Sequence, residues 1–445
     1  MTHTHLRAID TAAWPAIASV PDGRAIARRA RFAETRFARA CSGAGIELAG
    51  AEAALVVEHE AMFARLAQRG WVGLAEAFMA GEWRATSSQK LVDVLVNLIG
   101  HNYRPEGIAP RRGVGAQAGV GGSHGELPPD LVSHFAGDGE SAFQGHFASG
   151  AETTQRISAR SRTPGAGRKG EPKRHFVDVT EIGAPVEAHR EDLRDAQLRS
   201  VQRLLDAARV GAGTHLLDLP SSGGALSLAA AARGATVDTV TELGPKRTHL
   251  REYLALAGAP GAVRIDLLDG ADQALWARSL AATRRGAYDA IVSAESLETM
   301  SDRDQVAFLR AAESVLAPSG RIAIQTLTRT EKYSRTADAA LESLRVYVWP
   351  ALKYPTVEGI AAAVDRNTQL RVIARTSAPD HLVHSLRLQR TTFDTHMSQA
   401  AADGYDVVFR RMWVWQFAVR EALATLGMLD LTQSVIVPRH RRGRR

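Results

Sequence analysis

The sequence predicts an α/β protein in which helices cover both faces of a parallel sheet, with a helical domain placed before it. Three observations predict it. From about residue 190, short apolar runs that read as strands alternate with stretches of helical periodicity. Residues 1–105 show the helical period almost throughout. The composition, 45% hydrophobic and 23% charged over 445 residues, provides for a sizeable core in two or three domains and excludes general disorder.

In chain order, Arg24 to Cys41 sets Ile26, Ala30, Ala33, Phe37 and Cys41 at spacings of three and four among arginines. That is one apolar stripe on a basic helix, which packs on its neighbours or lies on a membrane surface. Leu55 to Ile99 continues the helical pattern, broken by Gly70, Gly73 and Gly81. Residues 105–175 turn rich in Gly, Pro, Ser and Arg and read as a long mobile loop with a structured island at 127–150. Glu191 to Arg209 reads as a helix burying Leu193, Leu198, Val201, Leu204 and Leu205. Strands follow at 215–219, 235–241, 263–268, 288–294 and 320–327, separated by helices at 222–232, 245–258, 271–283 and 303–316. The expected organisation is a helical domain over 1–105, a mobile basic insertion over 106–189, an α/β domain over 190–435 and a basic tail over 436–445.

The single cysteine, Cys41, excludes an internal disulfide and a cysteine-built zinc site. No metal is expected. The start of the chain carries an acid and lacks the apolar segment of a secretory signal, and no apolar run is long enough to span a bilayer. A cytoplasmic protein is expected. The net charge of +7 is concentrated in two places. One is the run holding Arg156, Arg160, Arg162, Arg168, Lys169, Lys173 and Arg174; the other is Arg439, Arg441, Arg442, Arg444 and Arg445. Such runs are solvated tails, or they attract a polyanion. Nucleic acid as that polyanion would call for aromatic platforms among the basic residues, and none is interleaved there.

Ligands of parallel sheets bind beyond the carboxyl ends of the strands. The strand at 215–219 holds Asp218 and runs into Pro220-Ser221-Ser222-Gly223-Gly224. An acid, a tight turn and a helix N-terminus receive an adenosyl group, glycine letting the backbone approach the ligand. The next strand ends at Thr241-Glu242, where an acid can take both hydroxyls of a ribose, and the third ends near Asp269, placed for an adenine amine. The bland alternative is that these acids cap the following helices.

At this point the chain resembles the cyclopropane-fatty-acyl-phospholipid synthases. The resemblance rests on Gly70 to Trp83 (GWVGLAEAFMAGEW), Asp195-Ala196-Gln197, Tyr347-Val348-Trp349-Pro350 with Tyr354-Pro355, and Phe409-Arg410-Arg411-Met412-Trp413 with Gln433. It implies a Rossmann-like class I methyltransferase domain, S-adenosylmethionine as cofactor, and methyl or methylene transfer to the double bond of an unsaturated acyl chain of a phospholipid. The resemblance also implies a bound bicarbonate as base, held in the family by a cysteine, a glutamate, a histidine and a tyrosine. Aligned here, those positions are Gln144, Glu298, Gln325 and Leu382, so only the glutamate is retained. Gln144 and Gln325 can still offer amide N–H groups to an anion. In the cofactor turn Pro220 and Ser222 stand for two of the family's glycines while Gly224 remains, with the Ser221 and Ser222 hydroxyls expected to assist. At the substrate mouth the family's His-Tyr-Asp becomes His124-Gly125-Glu126, and Trp349, Met412 and Trp413 are expected to line an acyl tunnel. Two readings stay open: an enzyme with altered proton removal, and a degenerate, lipid-binding partner of an active relative. Attachment of the basic tail to the inner membrane face is expected, and a homodimer is among the open assemblies.

Overall fold

The computed structural model describes residues 4–48, 53–107, 125–168, 171–189, 191–259, 261–267 and 284–439. In chain order the elements are α1 (Arg24–Gly43), β1 (Leu55–Val57), α2 (Ala61–Arg69), α3 (Trp71–Ala80), β2 (Trp83–Ala85), α4 (Ser88–Gly100), α5 (Pro129–Ser133), β3 (Glu152–Arg160) and β4 (Arg174–Ile182). Then come α6 (Asp192–Ala207), β5 (His215–Asp218), α7 (Gly224–Ala232), β6 (Thr236–Thr241), α8 (Gly244–Leu256), β7 (Val263–Leu267), β8 (Tyr288–Ala294), α9 (Asp302–Val315) and β9 (Leu316–Arg329). The chain closes with α10 (Arg335–Tyr347), α11 (Val357–Asn367), β10 (Leu370–Ser377), α12 (Pro379–Thr395), α13 (Met397–Ala402), α14 (Val407–Thr425) and β11 (Leu429–Pro438).

The chain forms two compact units. One is helical and takes residues 1–120, 331–350 and 389–428; the other is α/β and takes 121–330, 351–388 and 429–445. Two helical stretches expected within the α/β domain over 190–435, residues 331–350 and 389–428, group with the helical unit. Their apolar faces follow the same 3.6-residue period as every other helix, so sequence pattern alone does not say which core they join.

In the helical unit buried charges are paired. Arg65 donates from Nε to both oxygens of Glu82 at 2.9 Å and from its other nitrogens to the carbonyls of Ala16 and Ile17. Arg390 Nε donates to Glu421 at 2.7 Å, and Glu76 accepts from Arg69 and from the Tyr347 hydroxyl. Among the described residues no helix is long and apolar enough to cross a membrane.

The α/β unit is built on a nine-stranded sheet in the order β3-β4-β10-β11-β9-β8-β5-β6-β7. The run from β9 to β7 is parallel throughout, whereas β11 lies antiparallel to both β9 and β10. Apolar side chains pack on both faces of this parallel part, Leu217, Ile291, Ile322 and Ile324 in one cluster and Leu216, Val237, Val292 and Ala323 in the other. The fold is the Rossmann-like one expected. The expected helix at 271–283 lies outside the described residues.

The insertion at 106–189 departs from expectation in its second half. Instead of mobile chain, β3 and β4 pair antiparallel at the sheet edge, and β4 pairs with β10. Arg156 opposes Asp178 and binds it at 2.6 Å, Thr154 opposes Thr180 with their hydroxyls 2.8 Å apart, and Arg174 donates to Ser158. Most β3 side chains are exposed, so the strand lacks the alternation that marks a half-buried one. Cross-strand pairs hold it instead. At the other end of the chain Arg439 is likewise no free tail residue, since it donates to Thr163 and to the Thr368 carbonyl. Residues 440–445 lie outside the described residues.

Candidate active site at the carboxyl ends of the strands

The site is assembled within the α/β unit. At the end of β5 Asp218 is fully buried, and its carboxylate accepts from Ser222 N at 2.8 Å, Ser222 Oγ at 2.7 Å and Thr239 Oγ1 at 3.2 Å. Burial pushes the Asp218 carboxyl up to about 6, against the pull of these hydrogen bonds and of Lys246. The Ser222 hydroxyl expected to assist a cofactor is thus committed to Asp218, because the turn that replaces glycine with serine folds that side chain back onto the acid. Ser221 differs: its Oγ is buried without a hydrogen-bond partner.

Two further carboxylates complete this end of the sheet, Glu126, expected at the substrate mouth, and Glu140, which sequence reasoning did not assign. Glu126 Oε2 accepts from Thr241 Oγ1 at 2.6 Å and from Glu242 N at 3.3 Å, while Glu126 Oε1 is buried and unpartnered. Glu140 accepts from Gly224 N at 3.3 Å, at the N-terminus of α7, and from His249 Nε2 at 2.6 Å. Lys246 Nζ donates to the Ser221 carbonyl at 2.6 Å and lies 4.0 Å from Glu126. Asp218, Ser221, Ser222, Gly224, Thr241 and Glu242 are therefore brought together. Asp269 and His124 lie outside the described residues.

At the end of β8 the chain turns through Glu295 into Glu298. Glu298 is buried, and its carboxylate accepts from the Thr326 hydroxyl and from Leu327 N at 3.2 Å. Burial, and then the charge of Glu295, hold its carboxyl above the usual carboxylate range. Gln144 and Gln325 do converge on this place, but their N–H groups meet a protein carboxylate. Gln144 N donates to Glu295 at 2.6 Å and Gln325 Nε2 at 3.1 Å. The segment carrying Gln144 reaches this position because Gly145 lies against α6, where a Cβ would come within 2.7 Å of the Ala196 side chain. Leu382 is buried on α12.

Trp349, Met412 and Trp413, expected along an acyl tunnel, are buried in the helical unit. The Trp349 and Trp413 ring centres are 6.2 Å apart, Phe409 stacks on Trp413 and the Arg420 guanidinium sits 5.5 Å from the Trp349 ring centre. Glu140, Lys246 and Glu295 carry no motif of their own, and Glu126 was placed at the substrate mouth without its partner Thr241. They meet partners from segments far apart in sequence, so only the fold reveals these pairings.

The sequence profile described as mycolic acid cyclopropane synthetase matches residues 182–434. The chain is similar to the tuberculostearic acid methyltransferase UfaA1 of Mycobacterium tuberculosis, 28% identical over 98% of each chain. It is also similar to the ubiquinone biosynthesis O-methyltransferase of Xanthomonas oryzae, 34% identical over 31% of this chain and 52% of that one. Among solved structures, the cyclopropane synthase MmaA2 of Mycobacterium tuberculosis matches with a TM-score of 0.48 and 19% identity, over 55% of this chain and 85% of that one.

Proposed function

The chain belongs to the mycolic acid cyclopropane synthetase family, and on that footing we propose that it transfers the methyl group of S-adenosylmethionine to the double bond of an unsaturated fatty acyl chain carried on a phospholipid. The observation that carries this reading is the acidic cradle between β5 and β6, in which the Glu126 Oε1 and Ser221 Oγ atoms are buried without partners. A buried acceptor left empty costs free energy that a ligand hydroxyl recovers. The cradle also gathers Asp218, Glu126 and Glu140 around Lys246 and His249, a balance suited to a ligand with net positive charge. The cofactor fits this donor and acceptor set. Glu126, Ser221 and Thr241 would hold its ribose side and Glu140 its ammonium.

Bound there, S-adenosylmethionine supplies an electrophilic methyl group. The chain's own residues must then exclude water, set negative potential beside the cationic acyl chain and take up a proton. Glu298 and its neighbours at the end of β8 are suited to that work. Similarity to a protein named as a methyltransferase supports methyl transfer, and on this reading the product is methyl-branched rather than a closed ring. The acyl chains are met at an anionic bilayer, to which the exposed Arg24, Arg28, Arg31 and Arg39 of α1 and the arginines of 441–445 contribute about 1 kcal/mol each.

The second reading, a lipid-binding relative without catalysis, is favoured by one observation. The Ser222 N–H and hydroxyl, and the Gly224 N–H, are already taken by Asp218 and Glu140. Calorimetric titration with S-adenosylmethionine and S-adenosylhomocysteine separates the two. Micromolar binding is the expected result, followed by mass spectrometry of phospholipids for added CH₂. No heat at millimolar ligand would leave the second reading standing.

A further inference from the structure

Glu295 occupies a backbone position that side chains seldom take. Its φ is +50°, in the left-handed region that favours glycine. What accompanies this placement is a set of three N–H donors. Glu295 Oε1 accepts from Gln144 N at 2.6 Å and from Gln325 Nε2 at 3.1 Å, and Oε2 accepts from Gln144 Nε2 at 3.4 Å. The donors are themselves held. Gln433 Nε2 donates to Gln325 Oε1 at 2.9 Å, fixing that amide with its nitrogen toward Glu295, and Gln325 Nε2 also donates to the Gln144 carbonyl at 2.9 Å. Ser200 Oγ donates to the same carbonyl at 2.9 Å. A carboxylate that accepts several N–H bonds is bound as the anion.

A second observation points to a proton arriving there. Gln144 is fully buried, and its Oε1 has no hydrogen-bond partner. A half-turn of this amide would exchange the N–H now facing Glu295 for a carbonyl oxygen, the group that a protonated carboxyl requires. Glu298, by contrast, receives a hydroxyl and one backbone N–H. The two acids are therefore served unequally, Glu295 by three N–H groups.

We propose that Gln144 and Gln325 form an anion clamp whose built-in occupant is the Glu295 carboxylate, and that this carboxylate accepts the proton released in the reaction. The inference rests on the proposed methyl transfer. In that step the alkene pair forms the new carbon–carbon bond as the sulfur–methyl bond breaks toward sulfur, leaving a cationic acyl chain. A C–H bond next to the cation then breaks. Its electron pair stays on carbon to close the new bond, the proton bonds to a Glu295 oxygen, and water removes it afterwards. The chain would then need no free anion as base.

Two variants test this. Glu295→Gly suits the backbone angle and leaves the clamp vacant for a small carboxylate, whereas Glu295→Gln fills it with a neutral group. Formate titrated calorimetrically should bind saturably to the glycine variant and to neither the glutamine variant nor the wild type. Absence of binding to the glycine variant would overturn the clamp. In turnover both variants should fall by at least about a hundredfold, and formate, acetate or bicarbonate should restore at least tenfold to the glycine variant alone. Wild-type rates in Glu295→Gly without any added anion would overturn the base role. A wild type that transfers no methyl group would refute the parent reading and the base role with it, while the clamp would still stand or fall on the formate titration.

Discussion

The helical unit buries Glu82 and Glu421 against Arg65 and Arg390, whereas the α/β unit buries Asp218 and Glu298 against hydroxyl and backbone N–H groups. In the first case a guanidinium offsets the desolvation of the carboxylate, and the pair can serve as architecture. In the second the charge is left largely uncompensated, and the cost appears as carboxyls displaced upward, by burial first in both. A fold that tolerates such displacement keeps groups able to exchange protons near neutral pH. The difference separates what holds the molecule together from what the site can do.

The largest effect should come from the uncompensated side. Glu298→Gln retains the shape and burial of the side chain but removes its ability to ionise. Turnover should fall by about 10²–10⁴-fold, the range of general acid–base catalysis. S-adenosylhomocysteine affinity, set at the β5–β6 end, should stay within about twofold. Turnover at the wild-type level would remove Glu298 from the chemistry and leave Glu295 as the only acid of this pair with a role.

On the compensated side the expected loss is in stability. Arg65→Met takes the guanidinium from the buried Glu82 carboxylate and leaves it the His5 ring at 3.4 Å, which should cost about 3–5 kcal/mol in denaturant unfolding. The double replacement with Glu82→Leu should recover most of that loss, since an apolar pair of similar volume is often neutral. If the single variant unfolds like the wild type, the pair is not structural and the contrast between the units fails.

How much of this was legible in the sequence follows the same physics. The parallel strands were readable because they are buried on both faces and stand between periodic helices, so β5, β6, β8 and β9 fall where the apolar runs lie. The β3–β4 hairpin was not, because its stability comes from cross-strand pairs such as Arg156–Asp178, which leave no apolar alternation. At the site, Asp218 and Glu298 were legible from their place after strands. Glu126 was named at the substrate mouth but not beside Thr241, and Glu140 and Glu295 were hidden because their partners come only with folding: the α7 N-terminus for the one, Gln144 and Gln325 for the other. The two glutamines show how a position can be found and its partner missed. The two side chains meet at one place, yet the anion they hold belongs to the chain.

The smallest expected effect concerns Asp218 and sharpens the comparison through pH. Its carboxyl moves from an ordinary 3.8 to about 6 on folding, so between those values the native state binds the proton more tightly than the unfolded chain. Stability must therefore fall as pH rises through that window and level off above it, by up to about 3 kcal/mol from this group. Asp218→Asn cannot ionise and should lack this component. The unfolding free energy of the wild type, measured from pH 4 to pH 7, should decline relative to that of the variant. Parallel curves would mean that Ser222, Thr239 and Lys246 compensate the charge as fully as Arg65 compensates Glu82. The two units would then bury carboxylates by the same means, and the case for a reactive end of the sheet would rest on Glu298 and Glu295 alone.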